Sequence, residues 1–86
     1  MESRQFIKTS QALVTRIKDF ALLVAIGTHD QSEGESIQKA VNGAFSGLQN
    51  PTLPSAYKLR DAALDNDFYV DPRVQHRITQ AEGCWQ

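Results

Sequence analysis

Only one cysteine, Cys84, stands in the 86 residues, so no disulfide can close within the chain. A lone thiol fits a reducing compartment, with a bridge between two molecules as the one covalent pairing left. Histidine is nearly as scarce. His29, His76 and Cys84 are the whole supply of imidazole and thiol groups, fewer than the four that a structural zinc site takes. Charge of either sign is also not in excess: nine Lys and Arg face ten Asp and Glu, for a net charge of −1. The basic surplus or stripe that marks nucleic-acid-binding domains is therefore missing at the level of the whole chain. Long apolar runs are absent too. The longest, Phe20 to Ile26, has seven residues, against about 20 needed to span a bilayer. It follows a charged amphipathic stretch, unlike the apolar region of a signal peptide. These absences lead to the expectation of a cytoplasmic protein with no membrane segment.

A chain of this length is expected to form one domain, residues 1–86, and to bury only about 60–65% of the surface it exposes when unfolded. With disulfides and zinc set aside, well-packed helices or a partner subunit must supply the remaining stability.

Helical periodicity dominates what is present. From Ser3 to Ile26, the apolar residues Phe6, Ile7, Leu13, Val14, Ile17, Phe20, Ala21 and Val24 recur at intervals of three and four, which places them on one stripe. Gly27 follows at the position of a left-handed C-terminal cap. Residues 20–26 are apolar on every side, which fits either a helix end that needs cover all round or a short buried strand. Helix is favoured by the Ala and Leu content. A second helix is expected over 35–48, where Ile37, Ala40, Val41, Ala44, Phe45 and Leu48 form the cleanest amphipathic pattern. Ser32 stands three residues before Glu35, the capping-box spacing. Gly43 and Gly47, four apart on that helix, suggest close approach by a neighbouring backbone, or fraying near the helix end.

Pro51 and Pro54 break the chain. Ser55 is the expected cap of a third helix over 56–64, burying Ala56, Leu59 and Ala63. After Asp65-Asn66-Asp67, the pair Asp71-Pro72 reads as an N-cap followed by proline at the first helical position. The last helix then runs to Glu82, with Val70, Val74, Ile78, Ala81 and Trp85 along one side and Gly83 as its stop. The fold class expected is all-α: a small bundle of about four helices with a long N-terminal helix, which is also the expected seam of a homodimer.

No pattern of catalytic chemistry survives inspection. His76 and Cys84 lie eight positions apart, which on one helix is roughly 12 Å, too far for a nucleophile–base pair. Asp61, Asp65, Asp67 and Asp71 fall close together, yet a calcium loop begun at Asp65 has Val70 where glycine is required and His76 where glutamate is required. Helix stop, turn and N-cap account for Asp65, Asp67 and Asp71 locally. There is no phosphate loop, dinucleotide fingerprint or nucleophile elbow, and no catalytic, cofactor or metal residue is assigned. Arg4, Lys8, Arg16 and Lys18 on the first helix read as a solvated face.

By elimination, the expected function is that of a small non-enzymatic protein-binding regulator, inhibitor or assembly subunit. Partner contacts are expected at Tyr57, Asp61, Asp67, Tyr69 and Trp85, where acids without neighbouring bases and exposed aromatics suit a basic protein partner. Trp85 packing back on Val74 and Ile78 is the plain alternative. Self-association as a homodimer is expected through Phe20, Leu22, Leu23 and Ile26, because more apolar surface is present than one stripe can bury. The competing function is a nucleic-acid-binding regulator using the helices at 35–48 and 56–64. Its connecting turn is long and proline-rich, and its second helix offers only Lys58 and Arg60 before turning acidic.

Overall fold

The apolar stripe of the first segment is continuous enough to hold one helix of 24 residues, α1 (Glu2–Ala25). In the computed structural model, which describes residues 2–83, three shorter helices follow: α2 (Gln31–Ser46), α3 (Pro54–Asp65) and α4 (Pro72–Gly83). Residues 20–25 are helical, so the strand alternative for this run falls away.

Gly27 stops α1 as its spacing predicts. It adopts φ +78°, its N–H donates to the Val24 carbonyl at 3.1 Å, and the Thr28 N–H donates to Leu23 at 2.9 Å. This pair of bonds is a Schellman cap. The same device ends α3 with a residue that carries a side chain. Asp67 sits at φ +66°, with its N–H on Leu64 at 3.3 Å and that of Phe68 on Ala63 at 2.8 Å. Asp67 is therefore more than a turn residue, because it occupies a left-handed position that costs most L-residues about 1–2 kcal/mol. Asp67→Gly is expected to raise stability by about 0.5 kcal/mol in urea denaturation, and Gly27→Ala to lower it by about 1 kcal/mol. Equal, unchanged midpoints for both would contradict this account of the two caps.

Two helix starts differ from the sequence expectation. α2 begins at Gln31 with Asp30, not Ser32, as its cap: the Asp30 carboxylate accepts the Ser32 N–H at 2.9 Å. Gly34 does not break the first turn, because its missing side chain makes room for another residue. A Cβ there would come within 2.9 Å of the tip of the Phe20 ring. α3 begins at Pro54, with Leu53 rather than Ser55 at the N-cap and no side-chain cap bond. Proline in the first turn gives up a donor that had no partner to lose, and it holds Leu53 in the extended conformation (φ −66°, ψ 132°) that precedes a helix. Asp71 caps α4 as expected, accepting the Arg73 N–H at 2.8 Å. The close approach suggested for Gly43 and Gly47 does not occur. Gly43 faces open space, and Gly47 only caps α2.

α1 is the helix on which the rest is assembled. α2 runs antiparallel to it, with Phe6 beside Phe45 at 6.3 Å between ring centroids and Arg16 bonded to Glu33 at 2.6 Å. α3 lies on α1 in the parallel sense, so that Phe68, just beyond its end, meets Phe20 near the end of α1 at 6.0 Å. α4 packs chiefly on α3. Ile17, Ile37, Val41, Leu59 and Ile78 are fully enclosed between these helices. Ser10, also buried, turns its hydroxyl back to the Ile7 carbonyl at 3.0 Å, which satisfies it within the helix. The extended link between α3 and α4 is held by the Gln38 side-chain amide. Its NH2 donates to the Tyr69 carbonyl at 2.9 Å, and its oxygen accepts the Tyr69 N–H at 2.7 Å. One side chain thus pairs both polar groups of a strand-like residue.

Candidate functional site

At 1.5 Å per residue, α1 is about 36 Å long and α2 about 24 Å, and the molecule measures 40 × 26 × 17 Å. The last turn of α1 consequently runs past its cover. Phe6, Ser10, Leu13 and Ile17 are buried, Phe20 and Ala21 are half-buried, and Val24 continues the stripe in register yet is 45% exposed. Around it, Leu22 is 67%, Leu23 41% and Ile26 70% exposed. At 100° per residue, Leu22 and Ile26 share the face of α1 opposite Ile17, with Leu23 between them and the Phe20–Val24 side. The result is a turn of helix that is apolar on all sides and wet on most. Of the four residues expected to mediate self-association, Leu22, Leu23 and Ile26 are on this turn. Phe20 instead packs within the domain, against Phe68 and edge-on to His29 at 5.8 Å.

The residues expected to meet a partner separate into two places. Tyr57 and Asp61 belong to a network around Arg60. The guanidinium lies 6.0 Å from the Tyr57 ring centroid and bonds Asp61 at 2.9 Å and Glu82 at 2.8 Å. Asp61 is thus compensated by the base next to it, contrary to the expectation of unpaired acids. Burial of the Arg60 side chain acts to lower its pKa, but the hydrogen bonds and charges of Asp61 and Glu82 outweigh this and hold it above the ordinary arginine value. Asp67 and the exposed Tyr69 lie elsewhere, joined to the end of α1 by the Phe20–Phe68 contact. Trp85 and Cys84 fall outside the described residues.

Comparison with family models, with curated proteins and with solved structures finds no match.

The site must therefore be read from its own geometry. Beside the α1 end opens a groove of about 670 Å³, lined by Phe20, Val24, His29, Glu35, Asp67 and Phe68 among others. Sequence reasoning did not find this groove. Val24 was legible as the next member of the stripe, seven residues after Ile17, but Glu35 and Asp67 come together only because α2 and α3 both dock on α1. Among the described residues, no three His, Cys, Asp or Glu side chains gather as a metal site, and no helix is long and apolar enough to cross a membrane. The two helices considered for nucleic-acid recognition pack on α1 far more than on each other, and Arg60 is engaged in its ion pairs.

Proposed function

We propose that this protein is a small non-enzymatic binding subunit, a regulator, inhibitor or assembly component, acting through protein–protein contacts at the C-terminal end of α1. The observation that carries this reading is the exposed apolar turn of Leu22, Leu23, Val24 and Ile26. A contiguous apolar surface on a small domain is what an interaction site requires. Holding such residues at the tip of a helix that the rest of the fold does not reach has no packing benefit. A second copy is the simplest cover. Symmetric pairing of two α1 ends buries Leu22 and Ile26 of each chain with a single kind of contact. Lys18 and Asp19, one turn below, give each copy one rim charge of each sign.

Light scattering at micromolar concentration tests the self-pairing. The expected mass is about 19 kDa, twice the 9.6 kDa chain, falling to that of one chain in Leu22→Asp/Ile26→Asp with the helical circular dichroism unchanged. A monomer from about 1 to 100 μM in the unaltered protein would overturn self-pairing by this surface.

A further inference from the structure

The groove on the other side of α1 asks for a different occupant. Phe20 and Val24, which line it, are turned well away from Leu22 and Ile26 by the helical repeat, so it stays open when the outer face of the tip is covered. Its walls carry two carboxylates, Glu35 and Asp67, and no Lys or Arg. Most of the other acids of the described residues are engaged. Glu33 pairs with Arg16, Asp61 and Glu82 with Arg60, and Asp30 and Asp71 cap helices. The side-chain carboxylates of Glu35 and Asp67 have no hydrogen-bond or ion-pair partner among the described residues. Phe20 and Val24 of α1, the first turns of α2 and the residues just after α3 line the groove together.

From this convergence we infer that the groove receives an arginine or lysine from a basic amphipathic segment of a different protein. The apolar residues of that segment lie on Val24. Its cation enters between Glu35 and Asp67, beside the half-buried Phe20 ring, where carboxylate pairing and cation–π attraction act together. A second copy of this chain does not suit the groove, since symmetric pairing there would set Glu35 and Asp67 against their own counterparts. The inference rests on reading the protein as a binding subunit, but it turns on Glu35 and Asp67 whereas self-pairing turns on Leu22 and Ile26, so the two fail separately.

The test is a fluorescence-anisotropy titration of the full chain with a labelled, designed peptide of about 18 residues, leucine on one helical face and arginine on the other. Binding is expected in the micromolar range, weakening with salt. Glu35→Gln/Asp67→Asn, in which asparagine preserves the left-handed preference at 67, should lose tenfold or more in affinity. Asp61→Asn/Glu82→Gln, which removes acids elsewhere, should bind as the unaltered protein does. So should Leu22→Asp/Ile26→Asp, even as a monomer. Three results would each overturn the inference: undiminished binding by Glu35→Gln/Asp67→Asn, equal binding of the peptide with every arginine replaced by glutamate, or no binding at all. A changed mass of Glu35→Gln/Asp67→Asn in light scattering would overturn it too, by showing that the groove holds a second copy.

Discussion

Replacing Ile17 with aspartate is expected to abolish the cooperative unfolding transition, leaving a chain with little fixed structure at 25 °C. Ile17 has no exposed surface and belongs to the core that α1 shares with α2 and α3. The change removes about 1.5–3 kcal/mol of apolar burial and forces either a carboxylate or its neutral form into a site with no polar partner, a further cost of several kcal/mol. A domain of this size has on the order of 5–10 kcal/mol in total. The substitution therefore consumes most or all of the margin. Ile17→Val is the matched control, expected to cost only about 0.5–1.5 kcal/mol and to keep the transition sharp. A cooperative urea transition in Ile17→Asp with an unchanged slope would mean that α1 is not the common support of α2 and α3.

The second large effect concerns Arg60, whose side chain is only 11% exposed although it carries a full charge. Arg60→Ala is expected to lower stability by about 2–3 kcal/mol, and Arg60→Met by about 1 kcal/mol. The difference separates the packing of the apolar stem, which methionine retains, from the charge-assisted bonds, which it loses. The figures stay modest because Asp61 and Glu82 are about half exposed and rehydrate once the arginine is gone. α4 should feel the loss first. Thr79 and Glu82 are its side chains held by Arg60, so amide exchange along α4 is expected to quicken more than along α1. Uniform quickening of all four helices would show instead that Arg60 supports the whole fold.

How far the sequence carries can be judged residue by residue. Gly27 and Asp71-Pro72 were legible because each residue type is nearly specific to the role it fills. Pro54 was harder to read: proline breaks helices as readily as it begins them, and only the following residues decide. Asp67 could not be distinguished from an ordinary turn aspartate, since its left-handed backbone is imposed by the contact of Phe68 with the core. Gly34 carried an ambiguous signal for the same reason. It looks like a weak point in a helix until the Phe20 ring is placed against it. The apolar excess of residues 20–26 was plain, and so was its implication that something must cover it. The pairing of Asp61 with Arg60 was available from adjacency alone, yet the run of acids after it drew attention away. The groove was beyond reach because Asn66, Asp67 and Phe68 meet the α1–α2 hairpin only in the folded chain.

The position of α1 between α2 and α3 also bears on the order in which the chain can collapse. α1 and α2 are joined by the residues between Ala25 and Gln31, so their docking closes a short loop. Contacts of α1 with the chain beyond Pro54 must instead close longer loops, of more than forty residues from Phe20 to Phe68 for example. On a logarithmic loop-closure scale, that difference costs about 2 kcal/mol of chain entropy. The α1–α2 hairpin thus forms a platform before α3 has anything to gain from joining it. Until α3 arrives, the side of α1 that it will cover shares with the α1 tip the property of being uncovered. In the half-formed chain the tip is simply the far end of a longer sticky edge, and the arrival of α3 is what shortens that edge to the part the folded protein keeps.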